Sequence, residues 1–232
     1  MGDKSLRSED VIQKFRETRA LLEGHFVLTS GLHSTIYLQC ALVLQHPREA
    51  ENLGRSIAEH FQAENIQTVA APAIGGLIIG HEVARALGAR FIWTERENGK
   101  MVLRRGFSVS PGERVLVVED VVTTGGSTRE TVAALEANGA NVVAAASIID
   151  RSSGKAHVGV PRIALATLDV LSVDPAVCEA CKRGEPAIKP GSRKRQEAGG
   201  RSRRQDKNQR PKTKDQRPRQ LTYGPLTTDP HK

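Results

Sequence analysis

The stretch VLVVEDVVTTGGST, residues 115–128, decides the fold of this chain. It begins with four apolar residues, which is typical of a buried strand in a parallel sheet. Two carboxylates, Glu119 and Asp120, follow, and then a turn of small residues. Ser127 and Glu130 have the spacing of a capping box, so we predict a helix that starts near Ser127. Strand, polar turn and helix together indicate a βα unit.

The same order recurs on both sides of this stretch. TVAAPAIGG leads into a helical segment that Gly88 ends, and a second helical segment stops at Gly139 before another apolar run. We predict parallel strands at 67–71, 114–119 and 141–148, and a further strand at 162–171. The predicted fold class is therefore α/β, with a central parallel sheet flanked by helices on both faces.

The N-terminal segment has a different pattern. Ser8 can cap a helix that reaches about Leu22, and Pro47 suits the first residue of a helix that reaches about Glu64. Between them, residues 24–45 alternate in polarity, and we predict a hairpin around Ser30 and Gly31.

Composition predicts one folded domain, residues 1–191, followed by a basic disordered tail, residues 192–232. The tail has 13 Lys or Arg and 4 Asp or Glu, so it carries essentially all of the net charge of +8. It has too few apolar residues to fold alone. Such a tail is either a tether to nucleic acid or another anionic surface, or a solubilising extension. The lack of aromatic residues among its arginines argues against base stacking.

Cysteine content and hydropathy predict a soluble cytoplasmic protein. Three cysteines are too few for a disulfide framework, and no apolar run approaches the roughly 18 residues of a membrane span. Cys178 and Cys181 form one CxxC, which is half of a tetrahedral zinc site. We interpret the pair as structural or incidental unless Cys40 or a histidine lies nearby in space.

Residues 119–127 have the chemistry of a sugar-phosphate site. Carboxylates at a strand end can accept hydrogen bonds from two sugar hydroxyls, and a Gly-rich turn before a helix directs N–H groups at one anion. PAIGG, residues 72–76, offers a second turn of this kind. Residues 94–113 carry several cations around Gly99 and Gly106, which fits either a solvated hairpin or a closing cationic loop.

In combination, these segments resemble type I phosphoribosyltransferases, and EDVVTTGGS resembles the family's motif for 5-phosphoribosyl 1-diphosphate (PRPP). With GHFVLTSGLHSTIYLQ, residues 24–39, and IDR, residues 149–151, the body resembles the orotate phosphoribosyltransferase family. That resemblance implies the type I fold, with a small hood from the N-terminal segment. It also implies transfer of the phosphoribosyl group from PRPP to orotate, which yields orotidine 5′-phosphate and pyrophosphate for UMP synthesis.

The resemblance implies a set of site residues. Those implied to bind PRPP are Glu119, Asp120, Val121, Val122, Thr123, Thr124, Gly125, Gly126, Ser127, Ala73 and Gly75, with a cis bond between Ala73 and Ile74. Those implied to bind orotate are Thr123, Arg151 and Tyr37, with Ser30 and Gly31 on the same side. Those implied to act on the leaving pyrophosphate are Lys100 and Arg96, helped by Arg104 and Arg105.

The resemblance also implies Mg²⁺ held by PRPP and water without direct protein ligands, and a homodimer with shared active sites. The chain departs from the best-known members, which have lysine in place of Thr29 and of Gly75, and a second Asp in place of Glu119. Two alternatives remain: a phosphoribosyltransferase for another base, and a PRPP-sensing regulator that binds nucleic acid. Arg151 argues against the first, and the short segment ahead of the fold argues against the second.

Overall fold

The computed structural model describes residues 6–28, 31–170 and 172–189. Its central sheet has six strands in the order β5-β4-β3-β6-β7-β8. The five strands from β4 to β8 in that order are parallel to their neighbours, and β5 pairs antiparallel with β4 at one edge. The predicted α/β class and the parallel pairing of the three predicted strands are confirmed.

The strands are β1 Leu21–Val27, β2 His33–Leu38, β3 Thr68–Pro72, β4 Arg90–Glu97, β5 Lys100–Leu103, β6 Arg114–Val122, β7 Asn141–Asp150, β8 Arg162–Thr167 and β9 Ser172–Val173. The helices are α1 Ser8–Glu17, α2 Ala41–Leu44, α3 Pro47–Glu59, α4 Gly76–Leu87, α5 Gly126–Ala137 and α6 Glu179–Lys182, and a 3-10 turn covers Pro175–Val177.

Two apolar layers enclose the central sheet. On one face, α1, α3 and α4 bury residues such as Phe15, Leu53 and Ile79 against β6 and β7. On the other face, α5 buries Val132 and Leu135 against the alternate side chains of the same strands. Because both faces are covered, the strands are apolar throughout, as the sequence indicated. The sheet therefore holds the carboxyl ends of β3, β6 and β7 at one fixed edge.

The N-terminal hairpin belongs to a second sheet, the hood, with the order β1-β2-β9. The hairpin and the hood were predicted, but the contribution of β9 was missed, since this strand has only two residues. The backbone of Ile188 also exchanges hydrogen bonds with His25 and Val27. The C-terminal end of the described chain thus closes over the hood.

Several helix boundaries differ from the prediction. α1 ends at Glu17, because Arg19 has a left-handed backbone with a φ of 57°, and Leu22 belongs to β1 instead. Arg7, and not Ser8, occupies the N-cap of α1. α3 ends at Glu59, although Phe61 is still buried beyond it.

Within the described residues, no helix combines the length and the apolar character that crossing a bilayer requires. Residues 190–232 lie outside the described ranges, and so does the predicted tail. The division of the chain at residue 191 stays a prediction.

Candidate active site

The turn after β6 forms a small cavity of about 90 Å³, lined by Glu119 and residues 121–128. Gly125 has a left-handed backbone, with a φ of 73°, and a Cβ there would lie 2.8 Å from Val158 Cγ1. Both conditions require glycine. α5 begins at Gly126, and no side chain caps it. The predicted capping box is therefore wrong, since Ser127 lies inside the first turn, and the first N–H groups of α5 face the cavity in a position suited to an anion.

Glu119 lies at the bottom of this cavity and is buried. Burial, and then the charge of Asp120, raise the pKa of Glu119 to about 8, against the opposing hydrogen bond from Thr128. That bond joins Thr128 Oγ1 and Glu119 Oε2 at 3.1 Å. A carboxylate in this setting gains from any ligand that donates hydrogen bonds to it.

Asp120, the second member of the acidic pair, is bonded to its own strand and to the segment before α2. Its Oδ1 accepts a hydrogen bond from the N–H of Val121 at 2.8 Å, and the thiol of Cys40 also bonds to it. Burial raises the pKa of Asp120, and these hydrogen bonds oppose the rise. Of the acidic pair, Glu119 therefore lines the small cavity, whereas the partly desolvated carboxyl group of Asp120 lies against Cys40 and lines neither cavity.

The PAIGG loop lies against Asp120. A Cβ at Gly75 would be 2.7 Å from Asp120 Oδ1, although Gly75 has an ordinary right-handed backbone. The glycine is thus explained by close approach and not by backbone conformation. The bond between Ala73 and Ile74 is cis, as the family resemblance implied. The two loops predicted to bind phosphate groups are therefore brought together at one edge of the sheet.

A larger cavity of about 440 Å³ adjoins the turn. It is lined by Leu28, Leu32, Tyr37, Thr123, Thr124, Arg151, Val170 and Ser172. The three residues predicted to bind orotate, Tyr37, Thr123 and Arg151, thus share one cavity. Thr123 and Thr124 also line the smaller cavity, so the two cavities meet at these residues.

Arg151 has a buried Nε with no hydrogen-bond partner among the described residues. Burial lowers the pKa of Arg151 from its ordinary value, and the hydroxyl of Tyr37 opposes that change. A buried guanidinium donor without an acceptor is costly, which favours an anionic ligand in the larger cavity.

Asp150 fixes the turn that carries Arg151. Its carboxylate accepts hydrogen bonds from the backbone and hydroxyl of Ser152, from Gly154 and from Arg162, at 2.6–2.9 Å. Burial raises the pKa of Asp150, but these donors outweigh burial and lower it overall. The N–H of Arg151 also donates to the carbonyl of Val122 at 2.8 Å. Asp150 was not singled out from the sequence, although it stands beside Arg151.

The cationic stretch is a hairpin of β4 and β5, which agrees with the first of its two interpretations. Arg96 forms an ion pair with Glu130 at 2.7 Å, and Arg104 and Arg105 pair with carboxylates of the hairpin itself. Lys100 is exposed and opposes Glu97 across the hairpin. Neither Lys100 nor Arg96 lines the two cavities of its own chain.

The remaining predicted site residues lie in different positions relative to the two cavities. Val121 and Val122 end β6 and line the small cavity, although Val122 is buried and Val121 packs in part against the core. Gly31 is exposed beside the hood hairpin and does not line the larger cavity. Thr29 and Ser30 lie outside the described residues. The cavity residues Leu28, Leu32, Val170 and Ser172 were missed, since no local pattern marks them.

A Gly-rich anion site beside a larger cavity is the arrangement expected of a phosphoribosyltransferase. Comparison with known proteins gives the same class. Residues 41–163 match the phosphoribosyl transferase domain, and the chain belongs to that family. It is 54% identical over 186 residues to an orotate phosphoribosyltransferase of Pelotomaculum thermopropionicum, with 80% of this chain and 98% of the relative covered.

Solved structures with a similar fold include phosphoribosyltransferases for two different bases. The crystal structure of orotate phosphoribosyltransferase from Aeropyrum pernix matches with a TM-score of 0.56 and 26% identity, over 68% of this chain and 93% of that one. Adenine phosphoribosyltransferase from Rhodothermus marinus matches with a TM-score of 0.54 and 22% identity, over 68% of this chain and 99% of that one. At that identity the likeness concerns the fold alone, so the fold does not decide the base.

Proposed function

We infer that this chain is an orotate phosphoribosyltransferase, a pentosyltransferase that joins PRPP and orotate to give orotidine 5′-phosphate and pyrophosphate in UMP synthesis. The observation that carries the substrate assignment is Arg151, which lines the larger cavity and whose buried Nε has no partner among the residues that the structure describes. A planar guanidinium matches the carboxylate of orotate. Adenine, guanine and uracil have no such group.

The two adjoining cavities fit the two halves of the product. The 5′-phosphate would lie against the N–H groups at the start of α5, and the ribose hydroxyls would donate to Glu119 and Asp120. The base would occupy the larger cavity. Since Thr123 and Thr124 line both cavities, the anomeric carbon would lie beside them, where N1 of deprotonated orotate attacks as pyrophosphate leaves.

The residues around PRPP fit a hydrated divalent cation. Burial raises the pKa of both Glu119 and Asp120, so a nearby positive charge would relieve the cost of ionising them. We propose Mg²⁺ held mainly by PRPP oxygens and water, which would neutralise charge on the leaving pyrophosphate. The protein itself would position the substrates and exclude water.

We further propose that Lys100 and Arg96 act on pyrophosphate in the active site of a partner subunit. Both lie on a hairpin that does not line the cavities of its own chain. Ile74, in the PAIGG loop, is 83% exposed, and Ile78 in α4 is 47% exposed, which also supports a covering subunit. The proposed assembly is a homodimer, and the proposed location is the cytoplasm.

The substrate assignment is tested by following orotate absorbance with PRPP and Mg²⁺, with adenine, guanine and uracil assayed in parallel. We expect loss of orotate only when PRPP and Mg²⁺ are both present, and no reaction of the other bases. Turnover of another base without loss of orotate would refute the assignment.

The shared site is tested by mixing two strongly impaired variants, Lys100→Ala and Asp120→Asn, under conditions that exchange subunits. A hybrid dimer would pair one intact hairpin with one intact PRPP site, so part of the activity should return. The matched control mixes Lys100→Ala with Arg96→Ala, which damages the same hairpin twice and should restore nothing. Subunits that exchange without any gain of activity in the first mixture would rule out sharing.

A further inference from the structure

Four metal-binding side chains converge at the hood, and none of them lines the two substrate cavities. They are His25 in β1, His33 at the start of β2, and Cys178 and Cys181 on either side of the first turn of α6. Their ligand atoms all lie within 4.8 Å of one another. His25, His33 and Cys178 are buried, and the three cysteines of the chain are free thiols.

The distances fit a single tetrahedral ion. Bond lengths of about 2.0–2.1 Å to nitrogen and about 2.3 Å to sulfur require ligand atoms about 3.3–3.8 Å apart. Cys178 Sγ lies 3.4 Å and Cys181 Sγ 3.7 Å from His25 Nε2, and Cys181 Sγ lies 3.3 Å from His33 Nδ1. The two ring nitrogens are 2.8 Å apart, so they would separate by about half an ångström around an ion.

The tautomer of His25 is also fixed for metal binding. Its Nδ1 lies 2.9 Å from the carbonyl oxygen of Glu185, which can only accept, so Nδ1 carries the proton. The lone pair of Nε2 then points at the two sulfurs and His33. Histidine ligands of metals commonly make this kind of outer hydrogen bond to a backbone carbonyl.

We propose that these four side chains bind one structural Zn²⁺. Two thiolates and two imidazoles form a soft donor set that selects zinc over the Mg²⁺ of the reaction, and four protein ligands leave no open position for catalysis. A cavity of about 300 Å³ beside the cluster, lined in part by Thr35, Glu179 and Arg183, provides a route for the ion to enter.

The ion would join segments that are about 150 residues apart along the chain. It would pin α6 to β1 and β2, where the backbone of Ile188 already bonds to His25 and Val27. Between β1 and β2 lie Leu28 and Leu32, which line the larger cavity. The proposed zinc therefore stabilises the hood from which the base cavity is built.

The first experiment measures metal content by plasma mass spectrometry on the full-length protein, purified without metal-affinity resin from zinc-supplemented cells. We expect about one zinc per chain, the stoichiometry of a closed site. The double variant Cys178→Ser/Cys181→Ser should lose it. Cys40→Ser, which changes a buried cysteine outside the cluster, should retain it, and zinc that survives in the double variant would overturn the proposal.

A second experiment does not depend on variants that fold. The wild-type protein is stripped with a chelator under reducing conditions and titrated with Co²⁺. We expect the visible bands and thiolate charge-transfer absorption of tetrahedral cobalt, removed by stoichiometric Zn²⁺, and a rise in Tm on adding either metal. Failure to bind Co²⁺ or Zn²⁺, or a Cys178–Cys181 disulfide in the protein as isolated, would show that the cluster is not a metal site.

Discussion

The two cavities of the active site are built in different ways. The phosphate cavity is made within one short segment, by Glu119 and residues 121–128, and presents backbone N–H groups and the carboxyl group of Glu119. The base cavity gathers side chains from the hood, the turn after β6, the turn after β7 and the segment before β9. Recognition of the sugar phosphate is therefore a local property of one βα unit, whereas recognition of the base depends on how distant segments pack.

The largest loss of activity is expected from a substitution in the β4–β5 hairpin, which lines neither cavity of its own chain. Lys100→Ala should lower kcat about 10²-fold or more, with a smaller change in the KM for PRPP, because its charge acts mainly as the leaving group becomes more negative. Steady-state kinetics with both substrates measures this. Lys155→Ala, which removes another exposed lysine, is the matched control. An unchanged kcat in Lys100→Ala would remove the hairpin from catalysis.

The next effect separates the base cavity from the phosphate cavity. Arg151→Lys keeps the charge but loses the planar pair of donors, so the KM for orotate should rise about 10- to 100-fold, the range for a charged hydrogen bond. The KM for PRPP should change little. Equal increases for both substrates would mean that Arg151 acts on the turn as a whole, since its N–H bonds to Val122.

The difference between a phosphate cavity built from one segment and a base cavity built from distant segments also explains how much could be predicted from the sequence. Glu119, Asp120 and the Gly-rich turn were recognisable because strand, carboxylates and helix follow one another along the chain. Arg151 and Tyr37 were reached only through resemblance to a family. Leu28, Val170 and Ser172 could not be predicted, because nothing in the local sequence links the β1–β2 hairpin to Val170 and β9, far along the chain.

Two predictions about smaller features were wrong or incomplete for similar reasons. The capping box matched in sequence, but Gly125 turns the chain into α5 two residues before Ser127. The His and Cys cluster was visible only as CxxC, since its histidines lie on a hairpin some 145 residues or more away. A sequence pattern thus predicted the phosphate cavity and the hood hairpin, but not the wall of the base cavity or the His and Cys cluster.

A smaller effect, the pH dependence of PRPP binding, tests the electrostatics of the phosphate cavity. Below its pKa of about 8, Glu119 in the free protein is protonated, whereas ribose hydroxyls and a nearby cation favour the carboxylate. PRPP affinity should therefore rise with pH, by at most about tenfold per unit, and level off above about pH 8. Calorimetric titration with PRPP should show no such dependence in Glu119→Gln and should still show it in Glu136→Gln, an exposed control in α5. A flat profile in the wild type would contradict the assignment.

The smallest effect tests the contact between the two phosphate loops. In Gly75→Ala the backbone is unaffected, since Gly75 is already right-handed, but the new Cβ would lie 2.7 Å from Asp120 Oδ1. The carboxylate must rotate and lose its hydrogen bond from Val121, which costs about 0.5–1.5 kcal/mol and should raise the KM for PRPP about 2- to 12-fold. If the displaced carboxylate is the cause, Gly75→Ala should add nothing in an Asp120→Ala background, because neighbouring changes that act through one group are not additive. The cycle needs four proteins and the KM for PRPP of each. Additive losses would instead mean that the substitution obstructs pyrophosphate directly, and the PAIGG loop would then bind its ligand independently of the acidic pair.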